Sequence, residues 1–306
     1  MLEMTKRSDR PKHESPTYRA IDALLRNGLR LVPPGPIAET IALWWGYRFR
    51  PAPRIVRLRS GARIRIASID HLQLLIYYLG VFEPASISIL ERCVDAGDTV
   101  VDVGANIGFY TLESSCLVGP AGRVIAIEAV PEHVQAVRAN LALNGIGNVT
   151  LLEIAVGDHE SEGILTRRSG DNLGMFTLGN VGGTEARPVR IDALDKILKE
   201  QHVDRVDFIK MDIEGSEFRA LQGAANTIED KRPTLLVEIN EQALRGCGSS
   251  SAEVIGLFRT FGYCGWEITR FGLRALGALG DPDWSGECLF IHRDNIELRQ
   301  KLRLAA

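Results

Sequence analysis

Glycine and polar residues follow a short apolar stretch near residue 100, and their types and spacing suit the binding of a ligand. The stretch ends in Asp102-Val-Gly104-Ala-Asn106-Ile-Gly108. Two glycines four positions apart, at a turn from strand to helix, let a ligand approach the backbone closely, and the first N–H groups of the helix can bind it. The spacing differs from the G-x-G-x-x-G pattern that wraps a dinucleotide pyrophosphate. Asp102, just before the turn, suits a cationic ligand group such as an ammonium.

A second apolar stretch ends at Glu128, 20 residues after Gly108. A carboxylate at this place can accept hydrogen bonds from both hydroxyls of a ribose. Taken alone, such a carboxylate is more often an ordinary surface group. Together with the glycine turn at this spacing, ribose binding is the favoured interpretation. A nucleoside that carries an amino-acid group, as S-adenosylmethionine does, fits the two features better than NAD.

Charged residues also close two later apolar stretches, which end in Lys210-Met-Asp212 and in Glu238-Ile-Asn240. The alternation of a strand places Lys210 and Asp212 on one face. Charged groups are costly to bury there unless they pair or act in chemistry. One interpretation is therefore a catalytic group, and the other is an ion pair of Lys210 with Asp212 or Glu238 that only shapes the pocket. A divalent metal at Asp212, Glu214 or Glu238 is conceivable, but the spacing does not require one, and no metal is assigned.

The elements that position these residues are strands that alternate with helices from about residue 84 onwards. This order predicts a parallel sheet covered by helices on both faces, with ligands bound at the carboxyl ends of its strands. The third strand is predicted at about residues 149–156, and the Gly-rich residues 158–190 are predicted to form an excursion from the sheet. The predicted organisation is a flexible basic tail, an appendage of amphipathic helices and a β-hairpin, a catalytic domain and a C-terminal helical tail, at residues 1–17, 18–82, 83–295 and 296–306.

Composition and charge restrict the class of protein further. The chain has 306 residues, of which 45% are hydrophobic, so it is neither disordered nor collagen-like. Its net charge is −3, but the charge is unevenly distributed. Residues 1–65 contain 14 Lys and Arg and only 5 Asp and Glu. The basic segment could form a face for anionic partners, such as lipid headgroups or phosphorylated substrates, but an ordinary solvated surface is the favoured interpretation.

The expected location is the cytoplasm. The five cysteines include no C-x-x-C pair, which argues against a disulfide framework or a zinc site. No apolar run approaches the roughly 20 residues of a membrane-spanning helix, and the first residues lack the apolar stretch of a signal peptide.

The motifs taken together resemble the FkbM family of S-adenosylmethionine-dependent methyltransferases. The matching blocks are residues 100–111, 124–128, 148–158, 209–217 and 236–240. The resemblance implies a class I methyltransferase fold, with a Rossmann-like sheet of seven strands whose last strand is antiparallel. It also implies O-methylation of sugars, glycolipids or polyketides. The family usually has Glu-Pro where this chain has Glu128-Ala129.

The resemblance also implies roles for individual residues. Asp102, Gly104, Asn106 and Gly108 would cradle the methionine moiety, and Glu128 would hold the ribose. The backbone near Ala155 would face the adenine, and Asp212 would lie beside the sulfonium and the incoming hydroxyl.

An alcohol is a poor nucleophile until its proton leaves, so the predicted mechanism needs a carboxylate as general base. Asp212 or Glu238 is expected to take the proton, and Lys210 to orient a carboxylate or the substrate. The expected partner is a small-molecule or glycan- or lipid-linked acceptor, with no nucleic acid. Two alternatives stay open at this point: an NAD(P)-dependent Rossmann oxidoreductase and a non-catalytic S-adenosylmethionine-binding protein.

Overall fold

The structure is a computed structural model that describes residues 15–67, 70–167, 176–178, 185–276 and 284–304. The chain divides into two compact units, residues 1–82 and residues 83–306. Of the basic tail predicted for residues 1–17, residues 1–14 lie outside the described part. No single helix in that part is long and apolar enough to cross a membrane, although two consecutive helices separated by a bend, His71–Leu79 and Pro84–Cys93, pass the same test of length and composition together.

The described residues of the first unit form three helices and one β-hairpin, which are α1 (Pro16–Leu31), α2 (Pro36–Phe49), β1 (Arg54–Arg57), β2 (Arg63–Ile66) and α3 (His71–Leu79). Ser15 caps α1 by accepting a hydrogen bond from the N–H of Tyr18. Asp22, buried on α1, accepts hydrogen bonds from the hydroxyls of Tyr18 at 3.3 Å, Tyr77 at 2.5 Å and Tyr78 at 2.7 Å. Because Tyr77 and Tyr78 belong to α3, this carboxylate fastens α1 to α3.

The second unit is built on an eight-stranded sheet in the order β13-β12-β14-β11-β10-β3-β4-β5. Its strands are β3 (Thr99–Val103), β4 (Arg123–Glu128), β5 (Val149–Glu153), β10 (Phe208–Met211), β11 (Thr234–Asn240), β12 (Tyr263–Thr269), β13 (Gly272–Ala275) and β14 (Ser285–His292). The neighbouring strands from β5 to β11 are parallel, and β14 is antiparallel to both β11 and β12.

A second, four-stranded sheet lies where the sequence predicted an excursion. It has the order β6-β9-β7-β8, with β6 (Ala155–Gly157), β7 (Ser161–Arg167), β8 (Phe176–Leu178) and β9 (Glu185–Ala193). The third strand, predicted as one piece, is therefore split at Ile154, and its second part pairs with β9 instead of β4.

Helices cover both faces of the large sheet. They are α4 (Pro84–Cys93), α5 (Phe109–Val118), α6 (Pro131–Asn144), α7 (Leu194–Glu200), α8 (Glu217–Gln222), α9 (Ala225–Lys231), α10 (Glu241–Gly246), α11 (Ser251–Thr260) and α12 (Ile296–Lys301). On β4, Ile125 and Ile127 join a core that includes side chains of α7 to α11, whereas Ala126 packs against Val137 of α6. Alternate residues of one strand thus face opposite layers, as a doubly covered parallel sheet requires.

The predicted fold class is confirmed, with one difference in the number of strands. The sheet has eight strands where the resemblance implied seven. The additional strand is β13, which pairs only with β12 at the edge of the sheet. The β12–β13 hairpin adds an edge strand and leaves the order of the inner strands unchanged.

Candidate active site

A cavity opens at the carboxyl ends of β3, β4 and β10, where the sequence places its candidate residues. It encloses about 680 Å³ of space, including its mouth toward solvent. The turns after the three strands and the start of α6 form one part of the wall, and the second sheet forms the other. The lining residues are Val103, Gly104, Asn106, Ile127, Glu128, Ala129, Val130, His133, Ile154, Ala155, Val156, Leu165, Leu178, Asp212, Ile213 and Glu214.

Glu128 lies in this wall with its carboxylate held by the backbone. One carboxylate oxygen accepts the N–H of Asn106 at 2.7 Å, and the other accepts the N–H of Val130 at 2.8 Å. Each carboxylate oxygen has a second lone pair, so Glu128 can also accept hydrogen bonds from two ligand hydroxyls. His133, which the sequence reasoning did not select, lies with Nδ1 3.7 Å from the same carboxylate. Its position in the first turn of the helix after Glu128 is a signal that could have identified it.

The glycine turn after β3 serves the packing of two strand ends as well as the cavity. Gly104 has φ of +88°, and a Cβ atom there would lie 1.9 Å from the carbonyl oxygen of Asp212. Only glycine therefore lets the turns after β3 and β10 meet. Gly104 and Asn106 line the cavity, whereas Gly108, also at φ of +88°, precedes α5 and is not among the lining residues.

Asp102 lies behind the cavity wall. Its side chain is buried and accepts a hydrogen bond from the hydroxyl of Thr111 at 2.5 Å. Burial raises the pKa of Asp102 to about 6. The residue is not among those that line the cavity, and its contact with the methionine moiety stays a prediction.

Lys210 is buried at the centre of an acidic cluster beside the cavity. Its ammonium lies 3.2 Å from both carboxylate oxygens of Glu287 and 3.7 Å from Asp212, and 5.0 Å from the ring centre of Tyr110. The hydroxyl of Tyr110 donates to Glu83 at 2.7 Å.

Sequence reasoning selected Lys210, Asp212 and Glu238 but not Glu83, Tyr110 or Glu287. The acid at position 287 opens an otherwise apolar run in its strand, and this could have identified it. It stands directly opposite Glu238 in the antiparallel pairing of β11 with β14.

The cluster contains four carboxylates around one ammonium, so its carboxylates cannot all be ionised at low cost. Repulsion from Asp212, followed by burial, raises the pKa of Glu238 well above its usual value. Burial raises the pKa of Glu287 to about 8 and also raises that of Glu83, although Lys210 opposes both shifts. Burial alone would lower the pKa of Lys210, but the surrounding carboxylates outweigh it and raise the pKa. The cluster therefore favours the protonated form of Glu238 and the charged form of Lys210.

Three acids of the site are also close enough to share a cation. In the described part of the chain, Asp212, Glu214 and Glu238 can place one carboxylate oxygen each within 4.8 Å of the others. Carboxylate oxygens are the ligands that Mg²⁺ and Ca²⁺ prefer. These acids are accordingly the residues that could hold a metal.

The opposite end of the cavity is apolar. Ala155 is buried and lines the wall together with Ile154 and Val156. Val130 and Leu165 pack into one small cluster, with Leu178 against it. Trp266 of β12 lines a different cavity.

The lining fits an elongated ligand with three chemically distinct parts. The apolar end suits a flat aromatic base, and Glu128 in the middle suits a pair of hydroxyls. The end with Asp212 and Glu214 suits a positive charge. S-adenosylmethionine has an adenine, a ribose and a cationic sulfonium in this order, so the residues present fit this cofactor.

The sheet order, with an antiparallel β14 between two strands of the opposite direction, is that of a class I S-adenosylmethionine-dependent methyltransferase. A family model described as the methyltransferase FkbM domain matches residues 102–264, which is more than half of the chain. The chain belongs to the FkbM family of methyltransferases, whose methyl donor is S-adenosylmethionine.

Individual relatives share shorter or more distant similarity. Protein-L-isoaspartate O-methyltransferase 2 of Archaeoglobus fulgidus is 36% identical over 77 residues, which is 24% of this chain and 34% of that protein. Methyltransferase sdnD of Sordaria araneosa is 26% identical over 170 residues, 44% of this chain and 64% of that protein. The crystal structure of a methyltransferase FkbM from Methylobacillus flagellatus has 16% identity and a TM-score of 0.44, over 89% of this chain and 59% of that one. The chain spans about a third or less of the first curated relatives that it matches.

Glu217, which begins α8 directly after the Asp212 turn, gives a pH-dependent prediction. One carboxylate oxygen accepts the N–H groups of Ile213 at 3.0 Å and Gly215 at 3.1 Å, and the other is buried with no hydrogen-bond partner among the described residues. Burial raises the pKa of Glu217 from 4.5 to about 7. The folded state therefore binds this proton more tightly than the unfolded state, and the stabilisation present below about pH 4.5 is lost as the pH rises through about 7.

We expect Glu217→Gln to remove this loss, because glutamine keeps the accepting oxygen and does not ionise. The difference in unfolding free energy between variant and wild type should rise by about 3 kcal/mol, in favour of the variant, from about pH 4 to about pH 8. Denaturant unfolding at both pH values measures it, with the exposed Glu229→Gln as control. An equal difference at both pH values would contradict the assignment.

Proposed function

We propose that this protein is an O-methyltransferase that methylates a hydroxyl group of a sugar, a glycolipid or a polyketide-type acceptor. The observation that carries the proposal is the position of Asp212. Its side chain is 30% exposed and lines the cavity, and it also borders the buried cluster of Lys210 and Glu238. A carboxylate at the meeting point of a cofactor cavity and solvent is where an acceptor hydroxyl can lose its proton.

The structure favours one of the two acids that the sequence left open as general base. Glu238 shares a hydrogen bond with Asp212, and repulsion from Asp212 raises the pKa of Glu238, which favours its protonated form. Asp212 lines the cavity, whereas Glu238 is not among the lining residues. We therefore assign the role of base to Asp212, with Glu238 as the residue that orients it.

S-adenosylmethionine, when bound, would supply an electrophilic methyl group, and its sulfur would keep the electron pair of the broken carbon–sulfur bond and leave as a neutral thioether. The residues of the chain accept the proton, balance the charge and align the reacting groups. Asp212 accepts the proton of the acceptor hydroxyl as the oxygen forms its new bond to carbon. Lys210, held by Glu287, balances the negative charge around Asp212 before the reaction, and Glu128 holds the ribose so that the reacting groups are aligned.

The charge of the site favours a neutral acceptor over an anionic one. A carboxylate acceptor, the kind named in the protein-L-isoaspartate O-methyltransferases, needs no base and would approach Asp212 and Glu214 as a like charge. A hydroxyl acceptor is neutral and needs the base. Membership of a methyltransferase family also argues against the NAD(P)-dependent oxidoreductase considered from sequence.

The test is methyl transfer from isotope-labelled S-adenosylmethionine to glycans and lipids extracted from cells that lack the gene. We expect an acceptor that gains the mass of one methyl group in place of one hydrogen, on oxygen. Titration with S-adenosylhomocysteine and with NADH runs alongside. Methylation of carboxylates or nitrogen alone would contradict the proposal, and cofactor binding without any transfer would favour the non-catalytic alternative.

A further inference from the structure

The outward faces of α1 and α2 carry almost no charge. Among the exposed positions of the two helices only Arg19 and Arg48 are charged. Large apolar side chains are exposed instead, including Leu24 at 73%, Leu31 at 86% and Trp44 at 64%. A helix on the surface of a globular protein normally presents its charged face to water. These two helices do the reverse, and we call their exposed apolar surface the α1–α2 face.

The α1–α2 face cannot turn inward, because the inner side of α1 is fixed by polar contacts. Asp22 is buried there and accepts hydrogen bonds from Tyr18, Tyr77 and Tyr78. Rotation of α1 to bury Leu24 would expose Asp22 and break the two hydrogen bonds that Tyr77 and Tyr78 of α3 donate to it. The apolar surface is therefore a stable feature of the folded unit.

The charges of the same unit indicate what this surface meets. Residues 15–82 contain ten arginines, no lysine and three acids, and two of the acids, Asp22 and Asp70, are buried. On the hairpin β1–β2, Arg57 stands directly opposite Arg63 and both are exposed. Two positive charges directly opposite each other repel, and a nearby negative charge lowers that repulsion. The unit thus combines an apolar face with a strong attraction for negative charge.

We propose that the α1–α2 face docks this protein on a lipid bilayer that contains anionic headgroups. Helices of 16 and 14 residues are shorter than the roughly 20 residues needed to span the hydrocarbon core, so they would lie in the plane of the interface. The rings of Trp44 and Tyr47 suit the headgroup level, where an aromatic body meets a polar tip. A second copy of the chain is disfavoured as occupant, because a two-fold contact would bring arginine-rich units together.

The test is co-flotation of the full-length protein with vesicles of phosphatidylcholine alone and of phosphatidylcholine with about one third phosphatidylglycerol. We expect binding to the anionic vesicles, weakened by salt because the attraction of the arginines is screened. Leu24→Glu combined with Trp44→Glu should weaken this binding roughly tenfold or more, since both side chains then resist burial in lipid.

Two controls keep the result interpretable. Phe271→Glu introduces the same charge at a side chain that is 86% exposed in the other unit, and it should leave vesicle binding unchanged. Leu31→Ser is a milder change on the α1–α2 face and should weaken binding severalfold, with unchanged circular dichroism. The proposal is overturned if anionic vesicles are not bound, or if the double variant and Phe271→Glu bind equally well. Dimerisation that the double variant abolishes, without lipid binding, would overturn it in favour of a second copy.

Discussion

Asp212→Asn is expected to lower the turnover of methyl transfer by roughly 10²- to 10⁴-fold, which is the usual contribution of a positioned general base. Asparagine has nearly the same shape as aspartate but cannot accept the hydroxyl proton. The affinity for S-adenosylhomocysteine should change by only a few fold, because Glu128 and the apolar end of the cavity are unaltered. Single-turnover kinetics and calorimetric titration separate the two quantities.

The matched control for this prediction is Glu153→Gln. Glu153 is exposed at the end of β5, opposite Glu128 in the strand pairing. The substitution therefore removes a carboxylate from the same edge of the sheet. Its turnover should stay within a few fold of wild type. If Asp212→Asn remains active while Glu238→Gln does not, the base is Glu238. If both remain active, the reaction does not use a base from this cluster.

Lys210→Met is expected to destabilise the folded protein by about 3–5 kcal/mol at neutral pH, the usual cost of removing one partner from a buried ion pair. Methionine fills a similar volume but removes the positive charge that stabilises the ionised carboxylates among Glu287, Asp212 and Glu83. For a unit of this size the melting temperature should fall by roughly 6–20 °C. Calorimetry measures this fall.

The destabilisation caused by Lys210→Met should depend on pH, and the carboxylates around Lys210 determine its direction. The pKa of Glu287 is raised to about 8 even with Lys210 present, so the acid binds its proton more tightly in the folded state. Without the ammonium, the loss of unfolding free energy in Lys210→Met should grow as the pH rises and shrink as the pH falls toward about 5. The control is Lys301→Met, whose exposed ion pair with Asp95 is worth about 0–1 kcal/mol. A loss as small as that of the control would contradict the structural role of Lys210.

Most strands of the large sheet could be predicted because each is a short apolar run that ends at glycine or charged residues. The apolar stretch near residue 100 and the one that ends at Glu128 form β3 and β4 of the structure. The split at Ile154 was not predictable, because a strand that leaves one sheet for another keeps the same apolar pattern. The second sheet also escaped prediction, since its pairing joins segments that are far apart in sequence, such as Ala155 and Ile191.

The site residues that follow strand ends could be predicted from the sequence. Those that tertiary packing brings in from distant segments could not. Gly104, Asn106, Glu128, Ala155 and Asp212 line the cavity as their positions suggested. Their roles toward the cofactor stay predictions. Partners from distant segments could not be found from local patterns, because their proximity depends on strand order. They are Glu83 before α4, Tyr110 on α5 and Glu287 on β14.

The close contact between the turns after β3 and β10 has a consequence for how the protein is made. The Asp212 N–H donates to the carbonyl of Val103 at 3.0 Å, and Gly104 packs on the Asp212 carbonyl, yet these residues are more than 100 positions apart. At about 5–20 residues per second, a ribosome needs roughly 5–20 s to synthesise the intervening chain. During that interval β3 has an unpaired edge on the side that β10 will occupy. A nascent chain is therefore most prone to aggregation in this window, and truncation before residue 208 should yield no fragment that retains cofactor binding.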